Sequence, residues 1–301
     1  MSRLSIGQRW VLLGCALLAG VVRSLPWRNF LDRDGAYLFY GPDSYDHLRR
    51  ITLGMKVFPA IPSFDAYYGY PVGTGQIWSP GFDYLLSLAA LLVGGSLDAP
   101  AAAHFIGFWL PPLLAMVTIV LVHRVTNMLY GPFAAGVAAL LLALLPGHIL
   151  YSFVSELDHH VAEPMVCLLL MGSLIKWGDG DTEPSRLLPG WARVGCWLVF
   201  AIFIWRGSVI FWGGALLALS MQLVAGRGGS EVSRYARLGV GACLTAAALL
   251  APVCGLMGGA GGIKFGIISW FHVIMLVTFA VLWLPATGLV AVTRGRLLGA
   301  G

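Results

Sequence analysis

The stretch AAAHFIGFWLPPLLAMVTIVLVHRVTNMLYGPFAAGVAALLLALLPGHILY, residues 101–151, decides the fold class. It holds two apolar runs, 101–122 and 131–151, each close to the ~20 residues that a helix needs to cross a bilayer. A short connector carrying Arg124 separates them. Working outward, runs of the same kind lie at about 9–25, 161–177, 188–205, 207–225, 238–256 and 266–290. The 301 residues are 58% hydrophobic and 11% charged, with a mean hydropathy of +0.81, whereas a soluble domain carries ~25% charged residues. That composition excludes a soluble enzyme, a disordered chain and a basic nucleic-acid-binding protein. Backbone in lipid must satisfy its own hydrogen bonds, and the period-2 pattern of a membrane barrel is not seen. The expected fold is all-α: a polytopic transmembrane helix bundle of about eight spans, a single transmembrane domain over 1–301.

With both termini in the cytoplasm and the runs alternating, the inside loops hold eleven basic residues against four acids, and the outside eight against ten. This bias is the positive-inside pattern. The net charge of +5 therefore faces anionic lipid on the cytoplasmic side and says nothing about nucleic acid. The first run resembles a signal peptide, but Arg23-Ser24-Leu25-Pro26 is a poor cleavage site, so it reads as an uncleaved span. Cys15, Cys167, Cys196, Cys243 and Cys254 all fall in apolar runs without CxxC spacing, as small hydrophobes do. The layout leaves a long external loop, about 26–100, and a short one, 152–160. Inside the long loop, GFDYLLSLAALLVGG (81–95) is shorter than a span and reads as a lipid-surface or re-entrant helix.

All ten outside acids lie before residue 164. One group stands in GPDSYDHLRR, 41–50. Pro42 fixes a turn and Asp43 is placed as the N-cap of a helix, which puts Asp46, Arg49 and Arg50 one turn apart. The stretch DAYYGYPVGTGQIWSP (65–80), with Tyr70 and Trp78, has the aromatics and Gly/Pro turns of a headgroup-level loop. The second group is SELDHHVAE, 155–163. Ionisable groups crowded at a membrane boundary are costly unless paired or metal-bound. Carboxylates with imidazoles suit Mg²⁺ or Mn²⁺. Asp158 and His160 reach one ion from an extended or turn backbone, with His159 pointing elsewhere. A cation there suits a phosphate leaving group at the membrane face. The same residues also fit an ion-coupled transporter, a metal-binding receptor, or a polar turn that only stops two helices.

At these residues the chain resembles the catalytic subunit of oligosaccharyltransferase, a membrane glycosyltransferase of the GT-C type. Three elements carry the resemblance in order: GPDSYDHLRR after the first span, YPVGTGQIW (70–78) with the apolar helix behind it, and DHHVAE (158–163) after the third span. The helix from Phe133 to Leu150, with Pro146 near its outer end, also fits. The resemblance covers roughly residues 1–225. It implies a GT-C-like bundle with a long first external loop, in the cytoplasmic membrane of a prokaryote, with the active face outside or periplasmic. By resemblance, Asp43 and Asp158 are catalytic, and Asp43, Asp158 and His160 hold a divalent cation, Mn²⁺ or Mg²⁺. The implied reaction moves a glycan from a polyprenyl-linked phosphate or diphosphate donor to Asn of Asn-x-Ser/Thr in a polypeptide acceptor. Arg206, Tyr70 and Trp78 are the expected substrate-binding residues.

Two family features have no match in the sequence. No outside acid follows Glu163, and no soluble C-terminal acceptor-binding domain with a Trp-Trp-Asp-Tyr-Gly motif is found. The expectation is an incomplete enzyme of this kind. The alternatives are another GT-C transferase with a different acceptor, a non-catalytic membrane remnant, and a transporter. A transporter would place ionisable groups at mid-membrane or show repeated halves with broken helices, and the sequence has neither.

Overall fold

The computed structural model describes residues 5–62, 64–75, 79–95, 98–178, 188–225, 229–256, 263–265 and 267–298. Helix α1 (Ile6–Ser24) begins on a capping box, in which Ser5 Oγ accepts from the Gln8 N–H and Gln8 Oε1 accepts from the Ser5 N–H. Its buried face carries Cys15, Ala16 and Ala19 against Ile119, Ala139 and Ala143. Small residues let membrane helices approach closely. The partner is α4 (Ala99–Leu144), 46 residues long. At 1.5 Å per residue that is about 69 Å, more than twice the hydrocarbon core of a bilayer.

The length is resolved at Gly131, whose φ of 82° and ψ of 178° are not helical. The following Pro132 drives its neighbour out of the helical region, and glycine tolerates the positive φ. Contacts with α1 show that the chain reverses there. Trp27 faces Trp109, and a Cβ on Gly20 would meet Met116, so the first part of α4 runs antiparallel to α1. Beyond Gly131, Gly136 lies against Val11, and Arg23 binds the Ala143 carbonyl, so the second part runs parallel. The two spans expected in 101–151 are thus a hairpin. Its far end returns to the end of α1, where the Val154 N–H donates to the Arg23 carbonyl at 2.9 Å. The short helix α5 (Pro146–Leu150) makes that corner.

Two helices of the first external loop pack on each other and on α4: α2 (Gly41–Val57) and α3 (Gly81–Gly94). They meet where Gly54 leaves no room for a Cβ beside Ser87 Oγ, and Ser87 donates to the Ile51 carbonyl. Between them, β1 (Phe64–Asp65) and β2 (Thr74–Gly75) form a two-residue antiparallel ribbon. The helix expected after Pro42 is present but starts earlier than read. Tyr40 is the N-cap, and Asp43 lies in the first turn, where a carboxylate still complements the helix dipole. Gly41, with φ of 73°, lets the chain turn into the helix before Asp43 is reached.

The chain forms two compact units, Met1–Gly75 with Pro80–Leu168, and Gln76–Ser79 with Leu169–Gly301. Helix α6 (Ala162–Gly178) runs from one into the other. In the second unit, α7 (Gly190–Ile204), α8 (Val209–Val224), α9 (Gly229–Leu256) and α10 (Trp270–Leu298) enclose Leu198, Ile202, Trp212, Leu250 and Leu276. Helices α7 and α9 touch at Gly195, where a Cβ would strike the Ala242 carbonyl. Among the described residues, four helices are long and apolar enough to cross a membrane: Ile6–Phe30, Ala99–Leu144, Val232–Gly255 and Trp270–Thr287. The protein is a predominantly helical membrane protein. Helices α6 and α8, of 17 and 16 residues, also fall where spans were expected.

Candidate metal and active site

The first half of the site comes from α2, whose buried face carries Ser44, His47, Leu48, Ile51 and Gly54. His47 Nδ1 lies 2.5 Å from Oδ1 of Asp83, in the first turn of α3. Its Nε2 lies 3.3 Å from Asp158 Oδ1 and 3.1 Å from His159 Nδ1. One turn on, Arg50 Nε sits 2.8 Å from Asp83 Oδ2. Burial by itself opposes a charge on His47. The Asp83 and Asp158 carboxylates outweigh it, and the imidazole pKa is pushed up to about 9. The other arginine faces outward: Arg49 makes a two-pronged contact with Asp65, at 2.8 and 2.5 Å, and its guanidinium covers the Tyr67 ring.

The second half is the segment after α5. The Ser155 N–H donates to the Phe108 carbonyl at 3.1 Å, and the Ser155 carbonyl accepts from the Tyr40 N–H at 3.0 Å. These bonds tie the segment to the residue that caps α2. Leu157 is fully buried against Gly107, where a Cβ would come within 2.9 Å of its Cδ2. Asp158 is 3% exposed, and its Oδ1 lies 2.7 Å from His159 Nδ1. Burial alone would raise this carboxyl, yet hydrogen bonds from His159 and His47 hold it well below the usual carboxylate range.

The other oxygen of Asp158 is differently placed. Oδ2 lies 3.8 Å from His160 Nε2, too long for a hydrogen bond and within the span of two ligands about 2.1 Å from one cation. His160 Nδ1 is 2.7 Å from Glu163 Oε1. That contact assigns the ring proton to Nδ1 and leaves the Nε2 lone pair facing Asp158, the arrangement by which carboxylates orient metal-binding histidines. Hard carboxylates with imidazoles fit a divalent cation. Among the described residues, the groups with ligand atoms within 4.8 Å of one another are His47–Asp158–His159 and His159–His160–Glu163.

The expected site residues fall in four places. Asp158 and His160 come together. Asp43 is exposed in the first turn of α2 and belongs to neither tight group, though its charge acts on Glu156. Tyr70 is 78% exposed in the loop between β1 and β2. Arg206 lies in the second unit, in the turn between α7 and α8, where its N–H donates to Ser79 Oγ at 2.8 Å. Trp78 lies outside the described residues. His159, expected to point away, is 6% exposed and packs on Asp158; both oxygens of one carboxylate are used, so neighbouring histidines serve it from two sides.

Sequence reasoning did not single out His47, Arg50 and Asp83 as a buried set, nor Glu163 as the partner of His160. A signal existed for His47, since Leu48 and Ile51 mark the apolar face beside it. Glu156 was also passed over. It is 9% exposed, its Oε2 has no hydrogen-bond partner among the described residues, and Ser155 before it has a φ of 78°. Burial, then the charges of Asp158 and Asp43, push the Glu156 carboxyl up to about 7.

Comparison with known proteins gives a consistent set of relatives. The family model described as oligosaccharyl transferase STT3, N-terminal, matches residues 11–295. Over 135 residues the chain is 30% identical to dolichyl-monophosphooligosaccharide–protein glycotransferase AglB of Haloferax volcanii, covering 44% of this chain and 13% of that protein. The crystal structure of the Archaeoglobus fulgidus oligosaccharyltransferase in complex with Zn and sulfate shares the fold, with a TM-score of 0.83 and 20% identity over 97% of this chain and 37% of that one. The AglB structure from the same organism, with an inhibitory peptide and a dolichol-phosphate, gives a TM-score of 0.82 at 20% identity, over 94% of this chain and 33% of that one. The chain thus spans about a third of the solved structures it matches.

Proposed function

Because the chain belongs to the oligosaccharyl transferase STT3 family, matching its N-terminal model, we propose that it is a glycosyltransferase of protein N-glycosylation. It moves a glycan from a polyprenyl-linked phosphate or diphosphate to Asn of Asn-x-Ser/Thr in a polypeptide. The observation that carries this reading is the pair Asp158 and His160, with Glu163 setting the histidine tautomer. Asp43, Asp158 and His160 would hold a divalent cation, Mn²⁺ or Mg²⁺. Such an ion, when bound, neutralises charge on a leaving phosphate.

The remaining steps belong to the chain. An amide nitrogen is a poor nucleophile because its lone pair is conjugated with the carbonyl. The exposed Asp43 carboxylate accepts a hydrogen bond from that amide and weakens the conjugation. His47 and His159 keep Asp158 ionised by hydrogen bonding to its charged form. Arg206, Tyr70 and Trp78 bind donor and acceptor. The protein works in the cytoplasmic membrane of a prokaryote with this site on the external face. The names of its relatives, which include a dolichol-phosphate complex, support the lipid-linked donor.

The test is transfer from a lipid-linked glycan to a fluorescent Asn-x-Thr peptide in proteoliposomes, with added Mn²⁺. Asp158→Asn is expected to lower the rate at least a hundredfold. Unchanged transfer in that variant overturns the assignment of the site. Transfer to lipid or sugar acceptors but never to the peptide would instead identify a GT-C transferase with another acceptor.

A further inference from the structure

The second unit carries a groove with a volume of about 660 Å³. Helix α9 lines most of it, with Arg237, Gly241, Leu244 and Ala248 at the spacing of one helix face. Trp191 of α7 and Leu284 of α10 line it as well. Trp191 rests on Gly241, where a Cβ would meet the indole at 2.8 Å. Trp191 and Arg237 therefore stand at one end of the groove and Ala248 at the other.

The lining is apolar except at that first end. Its two threonines turn their hydroxyls onto their own helices: Thr245 donates to the Gly241 carbonyl at 2.8 Å, and Thr287 to the Leu284 carbonyl at 2.7 Å. Leu244 and Leu284 are about half exposed. Arg237 is the one charge that the lining offers. Its Nη1 donates to Ser233 Oγ at 2.6 Å, and Ser233 Oγ donates to the Thr287 carbonyl at 3.2 Å. This relay ties the guanidinium to both α9 and α10. Among the described residues, no carboxylate pairs with it.

The dimensions fit one leaflet. From Arg237 to Ala248 the helix rises about 16 Å, roughly half of the ~30 Å hydrocarbon core. Arg193 and Arg234 stand near the same ends of α7 and α9 as Trp191 and Arg237. Basic span ends face the cytoplasm, and tryptophan sits at headgroup level. An apolar groove one leaflet deep, with a cation and an indole at its headgroup end, matches an amphiphile with a hydrocarbon chain and an anionic head. The lipid-linked donor proposed above reacts at the external face and does not account for it.

We propose that this groove binds an anionic phospholipid of the cytoplasmic leaflet, with one hydrocarbon chain along α9 and its phosphate on Arg237. A planar guanidinium can hold two phosphate oxygens at once.

Native mass spectrometry of the purified chain in detergent, titrated with phosphatidylglycerol or phosphatidylcholine, tests this. The parent is expected to bind phosphatidylglycerol about fivefold more tightly, the worth of one basic residue at an anionic surface. Arg237→Gln is expected to erase that preference, and Arg237→Lys to keep most of it. Ala248→Leu is expected to weaken both lipids, because it fills the deep end of the groove. Both positions are exposed, so the variants should fold, and parent-like melting without lipid checks that. A preference that survives in Arg237→Gln, or unchanged lipid affinities in Ala248→Leu, overturns the site. So does competition by glycerol phosphate as strong as that of phosphatidylglycerol, since the chain would then contribute nothing. A lipid-free dimer that Ala248→Leu splits overturns it too, because a second copy would then be the occupant.

Discussion

His47 Nε2 lies 3.3 Å from Asp158 Oδ1, although 111 residues of chain separate them. On its other side His47 holds Asp83 at 2.5 Å. One imidazole thus bridges two buried carboxylates from different elements, and Arg50 steadies the second of them. Removing one member of such a buried ionic set costs about 3–5 kcal/mol, because it strands the others. His47→Ala should therefore lower the melting temperature in detergent by several degrees, since 1 kcal/mol corresponds to roughly 2–4 °C in a protein of this size or somewhat smaller. A parent-like melt would show that the bridge carries no weight.

If the proposed cation is held by Asp158 and His160, Glu163 acts on it through His160. With its carboxylate gone, the imidazole loses the contact that fixes its proton on Nδ1. Changes to such orienting partners typically cost 10–100-fold in metal affinity. Glu163→Ala should show that loss by Mn²⁺ titration, and Glu163→Gln, which can still accept a hydrogen bond, a smaller one. Equal affinity in the parent and Glu163→Ala would remove Glu163 from this role.

The ribbon between α2 and α3 carries a pH-dependent tie. The Arg49 hydrogen bonds hold the Asp65 carboxyl below its ordinary value, against the pull of burial. A depressed carboxyl contributes stability that is present above its unfolded pKa of about 3.9 and fades as pH falls below it. Limited proteolysis of this loop should therefore accelerate below about pH 4. Asp65→Asn should cut faster at neutral pH, by about threefold for a pair of this exposure, and lose that acid dependence. A loop whose cleavage ignores both changes would refute the tie.

Arg23 is fully buried in the first span. It bonds the carbonyls of Ala19 and Ala143, Ser152 Oγ at 2.7 Å, and His148 Nδ1 at 2.7 Å. The Ala143 carbonyl belongs to the last turn of α4, which has no helical N–H left to satisfy it. Arg23→Met should destabilise the protein by about 3 kcal/mol, through carbonyls left unpaired, and should cut expression in membranes. Arg23→Lys, with fewer donors and no fork, should recover only part. Parent-like melting of Arg23→Met would contradict this.

Much of this protein could be read along the chain. Apolar runs of bilayer length and the side bias of basic residues are local properties, so hydropathy alone indicated a helical membrane protein with two spans inside 101–151; the connector was expected around Arg124, and the structure instead breaks the helix at Gly131, before Pro132. The crowding in 155–163 likewise marked Asp158 and His160, because proximity in sequence already forces them together. The tertiary structure decided the rest. Asp83 looked like an ordinary acid opening an apolar helix until α2 and α3 packed through Gly54. His159 is turned inward by contacts with Asp158, His47 and Glu163. Glu156 became a buried carboxyl only when Tyr40 and Phe108 pinned Ser155. Periodicity says which face a residue occupies, but a hydrogen bond across 36 or 111 residues depends on how separate helices dock, and no spacing in the sequence records that.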